Sequence, residues 1–345
     1  MKKITRVLSL LMAIVTLVVL SSGVQAASNG LGISPRKDYS VQPGKDISDT
    51  LYIRNLSLNQ DLQIEMRVID FGAQNETGAP ALAVAENAPQ TPWSLKPFIQ
   101  LPKAVTIPAG KSTNVPIKVA IPASQGAGSY YSAIEYSAIN PETQQRVNIS
   151  ASSVSLVFVT VPGEAKEQLI LRQFGAYQSG QNQTTGEFKS MFVTSSPKEF
   201  AYRLQNQGNV AEQPSGSIVV KNMFGQTVKE VEDANVKKQL VLIGQTRRVQ
   251  TCIKPSILES KAPTGQDTKQ TVCDDPGLWP GRYTAQMALY YGLNGNNTQE
   301  IIGETSFWYI PWWSIVGFVL IVGFIVMMVW LVRRAFDNRR PRYRR

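Results

Sequence analysis

The chain has 345 residues, 43% of them hydrophobic, with 35 Lys and Arg against 25 Asp and Glu, no histidine and a formal charge of +10. Without histidine the commonest general base and the commonest metal ligand are missing, and Ser-His-Asp and Cys-His catalysis are excluded. The charge is no nucleic-acid footprint either: Lys2, Lys3, Arg6 and the arginines at 333, 334, 339, 340, 342, 344 and 345, offset by Asp337, hold +9 of it.

The first 26 residues read as a secretory signal peptide. Lys2, Lys3 and Arg6 precede an apolar run over 7–20, and Val24-Gln25-Ala26 supplies the small-residue cleavage site, between Ala26 and Ala27. An outer β-sandwich is expected over 27–163. Leu62-Gln63-Ile64-Glu65-Met66-Arg67-Val68 alternates apolar and polar residues, as do Val115, Ile117, Val119 and Ile121, and Tyr130, Ser132, Ile134 and Tyr136. That period of two marks half-buried strands. The run VSLVFVTV over 154–161 is apolar on both faces and short enough for a strand buried on both. Turn signals such as Gln42-Pro43-Gly44 and Pro108-Ala109-Gly110 separate the strands.

The polar segment 162–167 reads as a boundary, and a membrane-proximal sandwich is expected over 164–310. Its strands fall near 169–174, 188–193, 200–204, 217–220, 240–243, 283–290 and 301–309, with a hairpin turn at Asn294-Gly295-Asn296. The halves echo one another. An alternating strand runs into Asn55 in one and Asn206 in the other, and Pro108-Ala109-Gly110-Lys111-Ser112 has a counterpart in Ile243-Gly244-Gln245-Thr246. Gly128-Ser129-Tyr130 likewise matches Gly281-Arg282-Tyr283. The fold class is therefore all-β: two immunoglobulin-like β-sandwiches followed by a single transmembrane helix.

Each half has one long excursion, 71–92 and 253–272, and long loops on a rigid sandwich are where binding concentrates. Sugar polymers favour exposed aromatics beside amides, so Phe71, Asn75 and Trp93 are the candidate ligand contacts. Trp93 and Phe98 read more readily as cover for the end of the core, and Trp279 before Pro280-Gly281 likewise reads more readily as core than as a site. The two cysteines, Cys252 and Cys273, form an even pair that reads as a disulfide in an exported domain, against the alternative of two free thiols. Asp274-Asp275 before Pro276-Gly277 reads as a solvated turn rather than a calcium site.

Residues 312–332 run for 21 positions without a charge. About 20 apolar residues cross the hydrocarbon core, so the expected transmembrane helix is 311–332, with a basic cytoplasmic tail over 333–345. Arg333 and Arg334 mark its inner end by the positive-inside rule, and Trp308, Trp312 and Trp313 its outer interface. The expected location is thus the cell membrane, single-pass, with both sandwiches outside. Phe307-Trp308-Tyr309 still reads as strand, so no flexible stalk separates the second sandwich from the bilayer.

Signal peptide, paired sandwiches, one span and a basic tail resemble the WxL-interacting proteins of bacterial cell surfaces. The motifs that carry the resemblance are YSVQPGKDISDTLYIRN, WSLKPFIQLPKAVTIPAGKSTNVPIKVAIP and GAGSYYSAIEYSA in the first half, and FAYRLQNQG and PGRYTAQMALYYG in the second. The cysteine pair departs from that family. The resemblance implies peptidoglycan binding by the first domain and protein or host partners for the second. The expected function is a non-enzymatic, membrane-anchored surface protein without cofactor, binding a cell-wall polymer or a surface protein. The alternative is a structural or assembly subunit of an envelope membrane complex. Oligomeric state is left open.

Overall fold

The computed structural model describes residues 30–85, 87–139, 146–147, 153–179, 186–189, 192–261, 267–292 and 298–337. The expected signal peptide with Ala26 and Ala27, the Asn294-Gly295-Asn296 turn and the arginines from 339 onward lie outside them.

The first sandwich contains β1 (Leu31–Ile33), β2 (Arg36–Ser40), β3 (Asp46–Asn55), β4 (Leu62–Ile69), β5 (Phe71–Gln74), β6 (Ala79–Leu82), β7 (Ile99–Gln100), β8 (Ala104–Ile107), β9 (Ser112–Ala120), β10 (Gly128–Ile139), β11 (Arg146–Val147) and β12 (Ser153–Val161). One sheet has the order β1-β3-β9-β7 and the facing sheet β2-β12-β10-β4-β8, with β11 on β10. Between them lie Ile53, Ile117, Ile134, Val157 and Val159, all 2% exposed or less. Ile53, Ile117 and Ile134 are inward positions of the alternating runs, so the register there follows from the sequence period.

The second sandwich contains β13 (Leu169–Ser179), β14 (Gly186–Lys189), β15 (Phe192–Val193), β16 (Glu199–Asn206), β17 (Ser215–Asn222), β18 (Thr227–Val231), β19 (Thr246–Cys252), β20 (Pro255–Lys261), β21 (Asp267–Cys273), β22 (Gly281–Tyr291) and β23 (Gln299–Tyr309). Its sheets run β14-β13-β16-β19 and β15-β23-β22-β17-β18 around Phe200, Tyr202, Ile218 and Phe307. The larger sheet repeats the first domain's order β2-β12-β10-β4-β8, including a parallel edge pair: β2 on β12 in one, β15 on β23 in the other. The strand expected near 240–243 forms only a bridge between Val241 and Glu212, and the regular strand begins at Thr246.

The echoed asparagines do the same work in both halves. Asn55 is fully buried; its side-chain amide donates to the carbonyls of Gln60 (2.8 Å) and Ile107 (3.1 Å), and its Oδ1 accepts from the Ser57 N–H at 2.9 Å. Asn206 donates to Val210 (2.6 Å) and Val241 (2.9 Å) and accepts from the Gly208 N–H at 2.9 Å. Each clamps the loop leaving its strand to the turn that precedes the partner strand. Those turns hold Gly110 at φ 66° and Gly244 at φ 69°, left-handed values that favour glycine.

The helix α1 (Trp312–Asp337) starts three residues after β23 and is the one described helix long and apolar enough to cross a membrane, with mean hydropathy 3.0 over its apolar window and no part of that window buried in the protein. It opens on Pro311, whose carbonyl accepts from the Ser314 N–H (3.0 Å) and hydroxyl (2.6 Å).

Candidate functional site

The excursion 71–92 is an arm reaching across to the second sandwich. β5 and β6 pair as a hairpin from Phe71 opposite Leu82 to Gln74 opposite Ala79, and the short 3₁₀ turn at its tip (Asn75–Thr77) lies on β19. Glu76 meets the Arg203 guanidinium there at 2.7 Å. Beneath the arm a third apolar cluster joins the domains: Ile69, Phe71, Tyr131 and Ala133 from one side, Leu242 and Ile243 from the other. Phe71 is 4% exposed, with its ring 5.1 Å from that of Tyr131 and 5.8 Å from Phe158. The Trp93 ring centroid stands 6.0 Å from that of Tyr131.

Two of the three expected ligand contacts, Phe71 and Trp93, therefore face protein at the domain seam. Asn75 is exposed at the arm's tip with φ 51°, its Oδ1 accepting from the Thr77 N–H at 2.9 Å. No open aromatic platform forms from the three. The physical cause lies in β10 and β12. Their inward residues fill the first core, while Tyr131, Leu156 and Phe158 on the other face also need cover, which the arm and the second sandwich provide. A residue not singled out from sequence fixes the arm's return: the buried carboxylate of Asp70 accepts from the hydroxyls of Ser94 (2.6 Å) and Ser132 (3.0 Å) and the N–H of Thr91 (3.1 Å). An isolated Asp following an alternating strand gives no sign of that role.

At the edge of the seam a cleft of about 200 Å³ is bordered by four cations, Arg36, Lys237, Lys238 and Arg247. Arg36 lies over the Phe158 ring at 4.6 Å and pairs with Asp38 at 2.6 Å. Arg247 donates to the Leu240 carbonyl at 3.1 Å, and burial pulls its pKa below the usual arginine value. The mouth suits an anionic group.

The second excursion is a two-stranded hairpin, β20–β21, that pairs with no other described strand; its register runs from Pro255 opposite Cys273 to Lys261 opposite Asp267. A disulfide joins Cys252 to Cys273 at its base, with Cα atoms 5.1 Å apart. A lone hairpin is marginal in water, and closing it at the base offsets the entropy of ordering it. Ile257 and Leu258 are 66% and 57% exposed. Successive strand residues point to opposite faces, so neither face is covered there. Beside the base lies a groove of about 410 Å³ lined by Tyr177, Ser179, Pro197, Glu199 and Thr271, where the Ser179 hydroxyl donates to Glu199.

At the other expected site, Trp308, Trp312 and Trp313 are 39%, 72% and 50% exposed where the chain passes from β23 into α1. Arg333 and Arg334 follow the apolar stretch, with the Arg334 guanidinium 5.2 Å from the Trp330 ring centroid. Trp279 contradicts its reading as core: it is 78% exposed. Tyr283 closes that end of the core instead, its hydroxyl donating to the Trp279 carbonyl at 2.7 Å and leaving the indole outside. Among the described residues, no group of three or more His, Cys, Asp and Glu could hold a metal.

No family model matches the chain, and no curated protein matches it in sequence. In structure it is similar to a chaperone–tip adhesin complex of CFA/I fimbriae, with 11% identity over 82% of this chain and 99% of the other and a TM-score of 0.35. It is also similar to the Salmonella enterica SafA pilin in complex with the SafB chaperone (8% identity, 79% of this chain, 95% of the other, TM-score 0.31) and to the E. coli chaperone DraB (13%, 71%, 96%, 0.31). At such scores the likeness assigns neither fold nor function, and the all-β class stands on the strand pairing itself.

Proposed function

We propose that this is a non-enzymatic, single-pass envelope protein, anchored by α1 with both sandwiches outside, that holds a protein partner. The observation that carries the reading is the disulfide-closed hairpin. It presents Ile257, Leu258 and strand edges unpaired by any described strand, and such edges capture extended polypeptide by strand addition. The cationic cleft at the seam favours a partner with acidic groups. A surface protein fits these features better than the peptidoglycan-like polymer implied by the resemblance to WxL-interacting proteins, because the aromatics that would stack on sugar are spent in the seam. The second reading, an assembly subunit of a membrane complex, shares the same hairpin and differs in where the partner resides.

A soluble fragment spanning 27–309 is expected to co-purify an envelope protein, and Ile257→Asp with Leu258→Asp to abolish that capture while leaving thermal unfolding unchanged. Sedimentation of the fragment with purified cell wall, unaffected by the double substitution, would overturn the protein-partner reading in favour of the polymer.

A further inference from the structure

The membrane-proximal domain carries a second apolar feature at the end from which α1 leaves. Asn222, at the end of β17, is opposite Tyr283, which is opposite Phe307; Gly281 is opposite Tyr309. The β17–β18 turn, the Trp279 loop and the exit into α1 therefore emerge from one end of one sheet. Strands rise about 3.3 Å per residue and lie about 4.8 Å apart. Two residues beyond Asn222 thus bring the turn level with Tyr309, about 10 Å to the side of the exit strand.

At that turn Met223 and Phe224 are 59% and 79% exposed. Neither is needed to make it. Asn222 Oδ1 accepts from the N–H groups of Phe224 and Gln226, both at 3.0 Å, and Gly225 supplies the left-handed residue at φ 80°. Isolated exposed apolar residues are ordinary. Here, however, Met223 and Phe224 share one end of the domain with Trp279, Trp308 and Trp312, next to the start of an apolar helix. Aromatic side chains favour the headgroup layer.

We propose that Phe224 and Trp279, with Met223 beside them, seat this domain on the outer leaflet, making with α1 a three-point contact that fixes the tilt of the ectodomain. The proposal rests on α1 spanning the bilayer. The occupant is lipid because the patch lies at the same end of the sheet as the helix that enters it. A second copy of the chain on the same patch is an outcome the test distinguishes.

Cys252 and Cys273 are the chain's two cysteines and are joined, so an added cysteine can be labelled selectively. A nitroxide on Met223→Cys in the full chain, in phosphatidylcholine–phosphatidylglycerol vesicles, is expected to collide more with oxygen than with a water-soluble nickel chelate. Phe224→Asp with Trp279→Asp is expected to abolish that excess. Val322→Cys in α1 and Leu58→Cys, 79% exposed in the outer domain, give the bilayer and water references. A Met223 label that behaves like the Leu58 one while Val322 reads as bilayer overturns the docking and leaves the span intact. One shielded from both reagents means protein covers the patch, which also overturns it. A Val322 label in water overturns the span itself.

Discussion

Phe71→Ala is expected to split the thermal unfolding of the ectodomain into two transitions and to lower the first. The ring is 4% exposed, and it packs on Tyr131 and Phe158 where the arm crosses to the second sandwich. Truncating a buried phenylalanine costs about 3–5 kcal/mol through lost transfer energy and the cavity left behind. Each sandwich keeps its own core, Ile53 and Ile134 in one, Phe200 and Phe307 in the other, so the loss falls on their coupling. The linker between β12 and β13 is short and polar and cannot compensate. Calorimetry of the full chain in detergent decides the matter. A single transition at the unaltered temperature would show that the seam contributes little.

Glu212→Gln is expected to stabilise the protein at pH 8 and to leave it unchanged at pH 4.5. Glu212 is 2% exposed and sits where the loop after β16 bridges Val241, its Oε1 without a hydrogen-bond partner. Burial above all, and then the charge of Glu167, push its pKa up to about 7 from the ordinary 4.5, against a backbone hydrogen bond at Gly292. The sign follows from which state binds the proton more tightly. Below pH 4.5 the carboxyl is neutral folded and unfolded, so it contributes nothing. Between 4.5 and 7 the folded form keeps a proton that the unfolded form releases, and stability falls as pH rises. Above 7 both forms are charged and the full penalty stands, on the order of 3 kcal/mol for a shift of this size. Denaturant midpoints from pH 4.5 to 8 test it. A glutamine variant with the wild-type slope would place the titration elsewhere.

The sandwiches were legible because a sheet with one wet face prints its register as alternation, which 62–68 and 115–121 do. The duplication was legible in part: Asn55 and Asn206 appeared as strand ends, and the structure shows why asparagine stands there, since its amide and carbonyl serve a loop and a turn together. The arm was legible only in part: Phe71, Asn75 and Trp93 have the composition of a sugar site, and of the three only Trp93 also read as cover for a core. The cluster that Phe71 and Trp93 share with Leu242 and Ile243 of the other half leaves no local trace. One signal was present. The run VSLVFVTV is apolar on both strand faces, so its second face required a partner that the first sandwich lacked. Trp279 was misplaced for the converse reason. Tyr283, four residues later, occupies the place in the core that the reading gave to Trp279.

The orientation of the chain carries everything else, since the hairpin, the cleft and the lipid-facing turn have their proposed roles only if the sandwiches lie outside and the tail inside. Protease added to intact cells expressing the chain with a C-terminal epitope measures this directly. Complete loss of the ectodomain and a protected fragment carrying α1 with residues 333–345 are expected. Removal of the epitope from outside, or an ectodomain that survives until the membrane is breached, would contradict it.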